Sequence, residues 1–145
     1  ALSWVCARFG WLNAGDGALA AYTLHLAQSK MSMPFENAFF MGVLCNILVT
    51  AAVLVSLSAK DAAGRILGAW VPVMFFVVAG FSHSIADMTY CALALFARDA
   101  YAVDASALTW GRYFLGNMLP VTLGNIVGGL LVGGTAWYCY LRKKG

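Results

Sequence analysis

Charge is what this chain has least of. Asp, Glu, Lys and Arg make up 10% of its 145 residues, against about a quarter in a soluble domain. That leaves too little polar side chain to clothe a water-facing surface, so the composition excludes a soluble fold and implies an integral membrane protein. The basic residues are scattered or terminal, with no basic stripe and no aromatic platform beside them, which excludes a nucleic-acid surface. Cysteine is sparse and unpatterned. Cys6, Cys45, Cys91 and Cys139 fall one to each apolar segment, without the CxxC spacing that zinc or a redox centre needs, and buried free thiols are the expectation. Histidine is scarcer still. His25 and His83 stand far apart in the sequence, so no metal constellation forms at helical spacing, and neither a cofactor nor a membrane-bound redox enzyme is implied. No signal peptide is visible in these residues either. The chain opens ALSWVC, with no Met and no basic leading region, and reads as the continuation of a membrane segment whose first part lies outside it.

What is present is hydrophobic, 62% of the residues. Residues 1–12 are apolar apart from Arg8, too short to span, and read as the tail of a membrane helix. Asn13-Ala14-Gly15-Asp16-Gly17 is a turn cluster. Residues 18–30 have helix-forming composition and suit a membrane surface or a vestibule wall, with His25 interfacial. Pro34 breaks the pattern before a span expected over 36–59, in which Asn46 is the strongly polar interior residue. Residues 60–65 are a short polar connection, 66–97 a long apolar segment, and 98–112 a wetter loop holding Asp99 and Asp104. The last span is expected over 113–141, its helix beginning near Asn117 and Pro120. Gly124-x-x-x-Gly128 and Gly129-x-x-x-Gly133 within it would let helix backbones approach closely, and packing inside one protomer is the favoured use. Lys60, Arg65, Arg142, Lys143 and Lys144 lie on one side of these spans, and Lys30, Arg98 and Arg112 on the other. The bias places the C-terminus in the cytoplasm.

The 66–97 segment organises the rest. A straight helix of that length would reach roughly 48 Å, against a hydrocarbon core of about 30 Å. It is too long for one upright span and too short for two. In its middle stands Gly80-Phe81-Ser82-His83-Ser84, a glycine, two hydroxyls and an imidazole between apolar flanks. A helix interrupted there becomes two half-helices whose ends present backbone N–H and C=O groups to a cavity. Irregular backbone at membrane depth is tolerated inside protein or against a water-filled path, the setting of transport sites.

Three stretches, in order and at matching spacing, resemble the formate/nitrite transporter family. They are Gly42-Val43-Leu44-Cys45-Asn46-Ile47-Leu48-Val49, Gly80-Phe81-Ser82-His83-Ser84-Ile85-Ala86-Asp87-Met88, and Asn117-Met118-Leu119-Pro120-Val121-Thr122-Leu123-Gly124-Asn125-Ile126-Val127-Gly128-Gly129. The resemblance implies an all-α membrane protein of about three transmembrane helices, one interrupted, forming the C-terminal inverted repeat of an aquaporin-like six-helix channel. Implied with it are a homopentamer in the bacterial inner membrane and small monovalent anions, formate or nitrite, as cargo. It also assigns roles. His83 matches the histidine at the pore centre, Phe76 an aromatic of the inner constriction, and Lys30 the lysine that draws anions into the periplasmic vestibule. Two positions depart from the family pattern: Ser82 stands where Glu is usual and Asp87 where Asn is usual, both at places that hold the interrupted helix.

On the residues alone, His83 suits proton exchange because an imidazole changes charge near neutral pH. It would hand a proton or hydrogen bond to an arriving anion, which then crosses the apolar constrictions with little net charge and avoids most of the desolvation cost. Asp87, four residues on, is read as satisfying the half-helix end. Asn46 and Asn125 are read as hydrogen-bonding between helices. Phe76 reads equally as packing, and Lys30 equally as a lysine snorkelling to the interface. A proton-coupled symporter of another weak acid, such as hydrosulfide, acetate or lactate, would use the same residues. A structural membrane anchor would need no polar groups in a broken span.

Overall fold

The computed structural model describes residues 2–101 and 108–141, which form helices joined by short turns, with no β-strand among the described residues. The helices are α1 (Leu2–Arg8), α2 (Ala18–Met31), α3 (Phe35–Ser58), α4 (Ala62–Val78), α5 (Ser84–Tyr101), α6 (Trp110–Arg112) and α7 (Leu119–Ala136). Asp104 and the basic tail Arg142-Lys143-Lys144 lie outside the described residues. Two helical stretches are long and apolar enough to cross a membrane, Phe35–Ser58 and Trp110–Tyr140, and Ala62–Val78 is a shorter apolar helix. The chain divides into two compact units: residues 1–38 with 84–120, and residues 39–83 with 121–145. The division falls between His83 and Ser84, at the interruption itself.

The first unit is built on α5. Both α1 and α2 pack against it, and Leu24, Ala27, Met31, Cys91, Ala94, Leu95, Leu108 and Tyr113 form one buried apolar cluster. The turn that leads into α2 is held by backbone that glycine adopts readily: Gly15 and Gly17 have φ of 65° and 88°, in the left-handed region where a side chain is costly. At the far end of α5, the Arg98 guanidinium donates to the Leu108 carbonyl. The expected loop over 98–112 is therefore shorter than the composition suggested. Helix α5 continues through Arg98 to Tyr101, and Thr109 caps α6 by accepting from the Arg112 N–H at 3.2 Å.

The second unit packs α7 on α3 and α4 on α3, by backbone approach more than by large side chains. A Cβ added at Gly124 would collide with the Phe39 carbonyl oxygen, and one at Gly128 with the Val43 carbonyl oxygen. A Cβ at Gly68 would lie 2.9 Å from Val55 Cγ1. The glycine spacing thus serves packing within one chain. Helix α4 starts at Ala62, four residues before the expected Ile66, because the Asp61 carboxylate caps it by accepting from the Gly64 N–H at 2.8 Å. None of its residues is buried, and Trp70, Val71, Phe75, Val77 and Val78 stand exposed. An apolar surface of that kind belongs against lipid or further protein.

The last span departs from expectation at its start. Helix does not begin at Asn117 and Pro120 but runs on from Trp110, with a π-helical stretch over Tyr113–Met118 and a second over Trp137–Leu141. Pro120 has no N–H to give, and the widened π turn just before it is the local device by which a helix absorbs such a residue. Gly124→Ala and Gly128→Ala should each cost about 1–3 kcal/mol, the usual penalty of overpacking. Gly134→Ala, where nothing lies within 4 Å, should leave the unfolding midpoint in detergent unchanged.

Candidate functional site

The interruption is made by a specific helix ending. Helix α4 stops at Val78, Ala79 follows, and Gly80 turns the chain with φ +70°. The Phe81 N–H then donates to the Phe76 carbonyl at 3.1 Å, and the Gly80 N–H to the Val77 carbonyl at 3.1 Å. This pair of bonds is the Schellman closure, which satisfies carbonyls that a helix end otherwise leaves orphaned. The expectation of open backbone groups at both ends is corrected here: this end is closed internally, because left-handed Gly80 folds its own N–H and that of Phe81 back onto it.

The closure places two rings together. Phe76 and His83 stack with centroids 5.9 Å apart and planes inclined by 19°, both half-buried. Ser82, between Phe81 and His83, is fully buried, and its carbonyl accepts from Asn125 Nδ2 at 3.3 Å. Asn125 Nδ2 also donates to the Gly42 carbonyl at 3.0 Å, and the Asn125 carbonyl accepts from Asn46 Nδ2. Phe76, Ser82, His83 and Asn46 therefore belong to one arrangement in the second unit, joined through Asn125.

Lys30 and Asp87 belong to the first unit instead, where Asn117 reaches both residues. Asp87 lies in the first turn of α5, where a negative charge is favoured by the helix dipole. It is 1% exposed and accepts from Asn117 Nδ2 at 3.2 Å. The same Asn117 Nδ2 lies 3.4 Å from the Lys30 carbonyl oxygen, while Asn117 Oδ1 makes no hydrogen bond. The Lys30 side chain is buried and within electrostatic reach of the Asp87 carboxylate. A lysine snorkelling to a wet edge is not what the fold shows. Asn117, read in the sequence as a mark of helix onset, is the residue whose role there was missed; its partners are distant in sequence, and no local pattern announces them. Among the described residues no group of His, Cys, Asp and Glu is placed to hold a metal ion, and His25 joins neither arrangement.

Removing one member of a buried opposite-charge pair strands the other, at a cost of about 3–5 kcal/mol, whereas removing both is close to neutral. Asp87→Asn and Lys30→Met should therefore each lower the unfolding midpoint clearly, and the double variant should recover most of the loss. Equal losses that simply add would show that the two charges do not interact.

The sequence matches the formate/nitrite transporter family over residues 1–139. It is 39% identical over 122 residues to the uncharacterized transporter YrhG of Bacillus subtilis, covering 84% of this chain and 42% of that protein. It is 39% identical over 113 residues to a probable formate transporter of Methanothermobacter thermautotrophicus, covering 77% and 38%. Its fold is similar to that of a pentameric formate channel with formate bound, with a TM-score of 0.84, 30% identity, and coverage of 97% of this chain and 60% of that one. The chain thus spans about half the length of the curated relatives it matches. With a family match along nearly its whole length and an all-helical fold shared with a solved channel, this chain belongs to the formate/nitrite transporter family of membrane transport proteins.

Proposed function

We propose that this chain forms the His83-bearing part of a channel that passes formate or a closely similar monovalent anion across the bacterial inner membrane, as one subunit of a homopentamer. The observation that carries this reading is the stacked Phe76–His83 pair at a closed helix interruption. An ionisable ring in an apolar span is costly and tends to face a bundle interior or a water path. Here it also lies beside an aromatic face, so the polar and the apolar elements of a selective constriction are adjacent. The names of the relatives supply the cargo: a formate channel of Escherichia coli is 33% identical over 155 residues.

Chemically the step is a proton exchange. Imidazolium at His83 gives its proton to the arriving carboxylate, leaving neutral imidazole and neutral acid. The acid passes the apolar constriction at Phe76 without the desolvation cost of a charge. It then releases its proton to water on the far side, and the imidazole is reprotonated from solvent. Nitrite, hydrosulfide, acetate and lactate could follow the same route. The interruption, not a bound cofactor, is the working part. Three spans in this half and a cytoplasmic C-terminus complete the reading.

The test is flux through the complete protein in proteoliposomes, with formate, nitrite and hydrosulfide each measured at about pH 7 and about pH 5, spanning the ordinary range of imidazole titration. Wild type should conduct with a pH-dependent rate, and His83→Ala should lose that dependence. A His83→Ala protein with wild-type flux and pH profile would remove the proton-exchange mechanism. Phe76→Ala should raise flux and reduce discrimination among the three anions; unchanged selectivity would remove Phe76 from the constriction.

A further inference from the structure

We propose that Asn125 is the positioning residue of this site: its carboxamide fixes the peptide that carries His83 and so sets where the imidazole stands. The inference rests on the reading of His83 as the proton-exchanging group, and adds the residue through which the rest of the unit controls it. The Ser82 carbonyl lies beyond the Schellman closure of α4 and before the first turn of α5, so no helix ladder includes it. It is also buried, and a buried carbonyl requires a donor. Asn125 Nδ2 is that donor, at 3.3 Å.

The geometry makes this bond a positional constraint. A primary amide carries two N–H groups, and Asn125 aims its nitrogen at two carbonyls from different segments, Gly42 on α3 and Ser82 in the interruption. The Ser82 carbonyl and the His83 nitrogen share one planar peptide unit. Holding the carbonyl therefore fixes the direction in which the His83 backbone leaves it.

The base of the constraint is itself rigid. Asn46 Nδ2 donates to the Asn125 carbonyl, and Gly124 lies against the backbone of Phe39 and Val43. A Cβ at Gly42 would stand 2.7 Å from the Val121 carbonyl oxygen and 3.0 Å from Asn125 Nδ2. Glycine at 42 is what lets the amide reach its first carbonyl. With that end tied to α3, the second N–H transmits the α3–α7 packing to the interruption.

The test uses the complete protein in phosphatidylcholine–phosphatidylglycerol vesicles, in a His25→Gln background so that His83 is the one histidine among the residues of this chain. Asn125→Asp keeps the side-chain shape and removes both donors; Asn125→Ala removes the side chain; Asn125→Ser keeps a single donor should the alanine variant fail to assemble. Two quantities are read: formate flux, and the rate of His83 carbethoxylation by diethyl pyrocarbonate. In assembled Asn125 variants flux should fall about tenfold to a hundredfold, the scale of a small misplacement of a reacting group, and the carbethoxylation rate should change with it. Wild-type values of both would overturn the proposal. So would a flux loss that tracks lost assembly while His83 reactivity stays constant, since that marks a purely structural residue. If His83→Ala conducts like wild type, the proton-exchange reading fails, and the carbethoxylation rate still decides whether Asn125 positions His83.

Discussion

A helix that stops inside an apolar fold leaves backbone groups that must find partners, and this fold depends on how that demand is met at the interruption. Two devices share it. Left-handed Gly80 folds the Gly80 and Phe81 N–H groups back onto Val77 and Phe76. Asn125, from a helix far along the chain, supplies the donor for Ser82. One device is local and the other tertiary, and His83 sits immediately after the point where they meet.

The two departures from the family pattern acquire physical content in this light. At position 82 the fold uses the main-chain carbonyl, which any residue provides, and Ser82 is small enough to be fully buried there. At position 87 the carboxylate is buried beside an asparagine and within reach of a lysine. A negative charge in the first turn of α5 is favoured by the helix dipole as well as by Lys30. The Asn117 amide gives the buried side chain a hydrogen-bond donor in the first unit.

The glycines of α7 serve the same end. By letting α3 and α7 approach at backbone distance, they bring the Asn46 amide within reach of the Asn125 main-chain carbonyl and the Asn125 amide within reach of the Gly42 carbonyl. In an apolar medium such hydrogen bonds and close packing, and not a difference in hydrophobicity between helix and solvent, hold helices together.

Much of this was legible in the residues. Low charge and long apolar runs identify a membrane chain, since a soluble surface cannot be made from them. The Gly80–Ser84 cluster marks the break, because the 66–97 segment is too long for one upright span and its glycine and polar groups gather at its middle. Asp61 as a helix cap and the π turn before Pro120 were less visible, since each depends on which register the neighbouring backbone takes. The partners of Lys30, Asp87, Asn117 and Asn125 were not visible at all. Asn117 and Asn125 bond largely to main-chain carbonyls, which carry no residue identity, and a buried lysine reads the same in sequence as an interfacial one. Composition and local backbone preference determined that the chain enters a membrane and where its helix breaks; only tertiary packing decided which distant amide holds the broken ends, because a hydrogen bond to a carbonyl is specified by position in space and not by the residue that offers it.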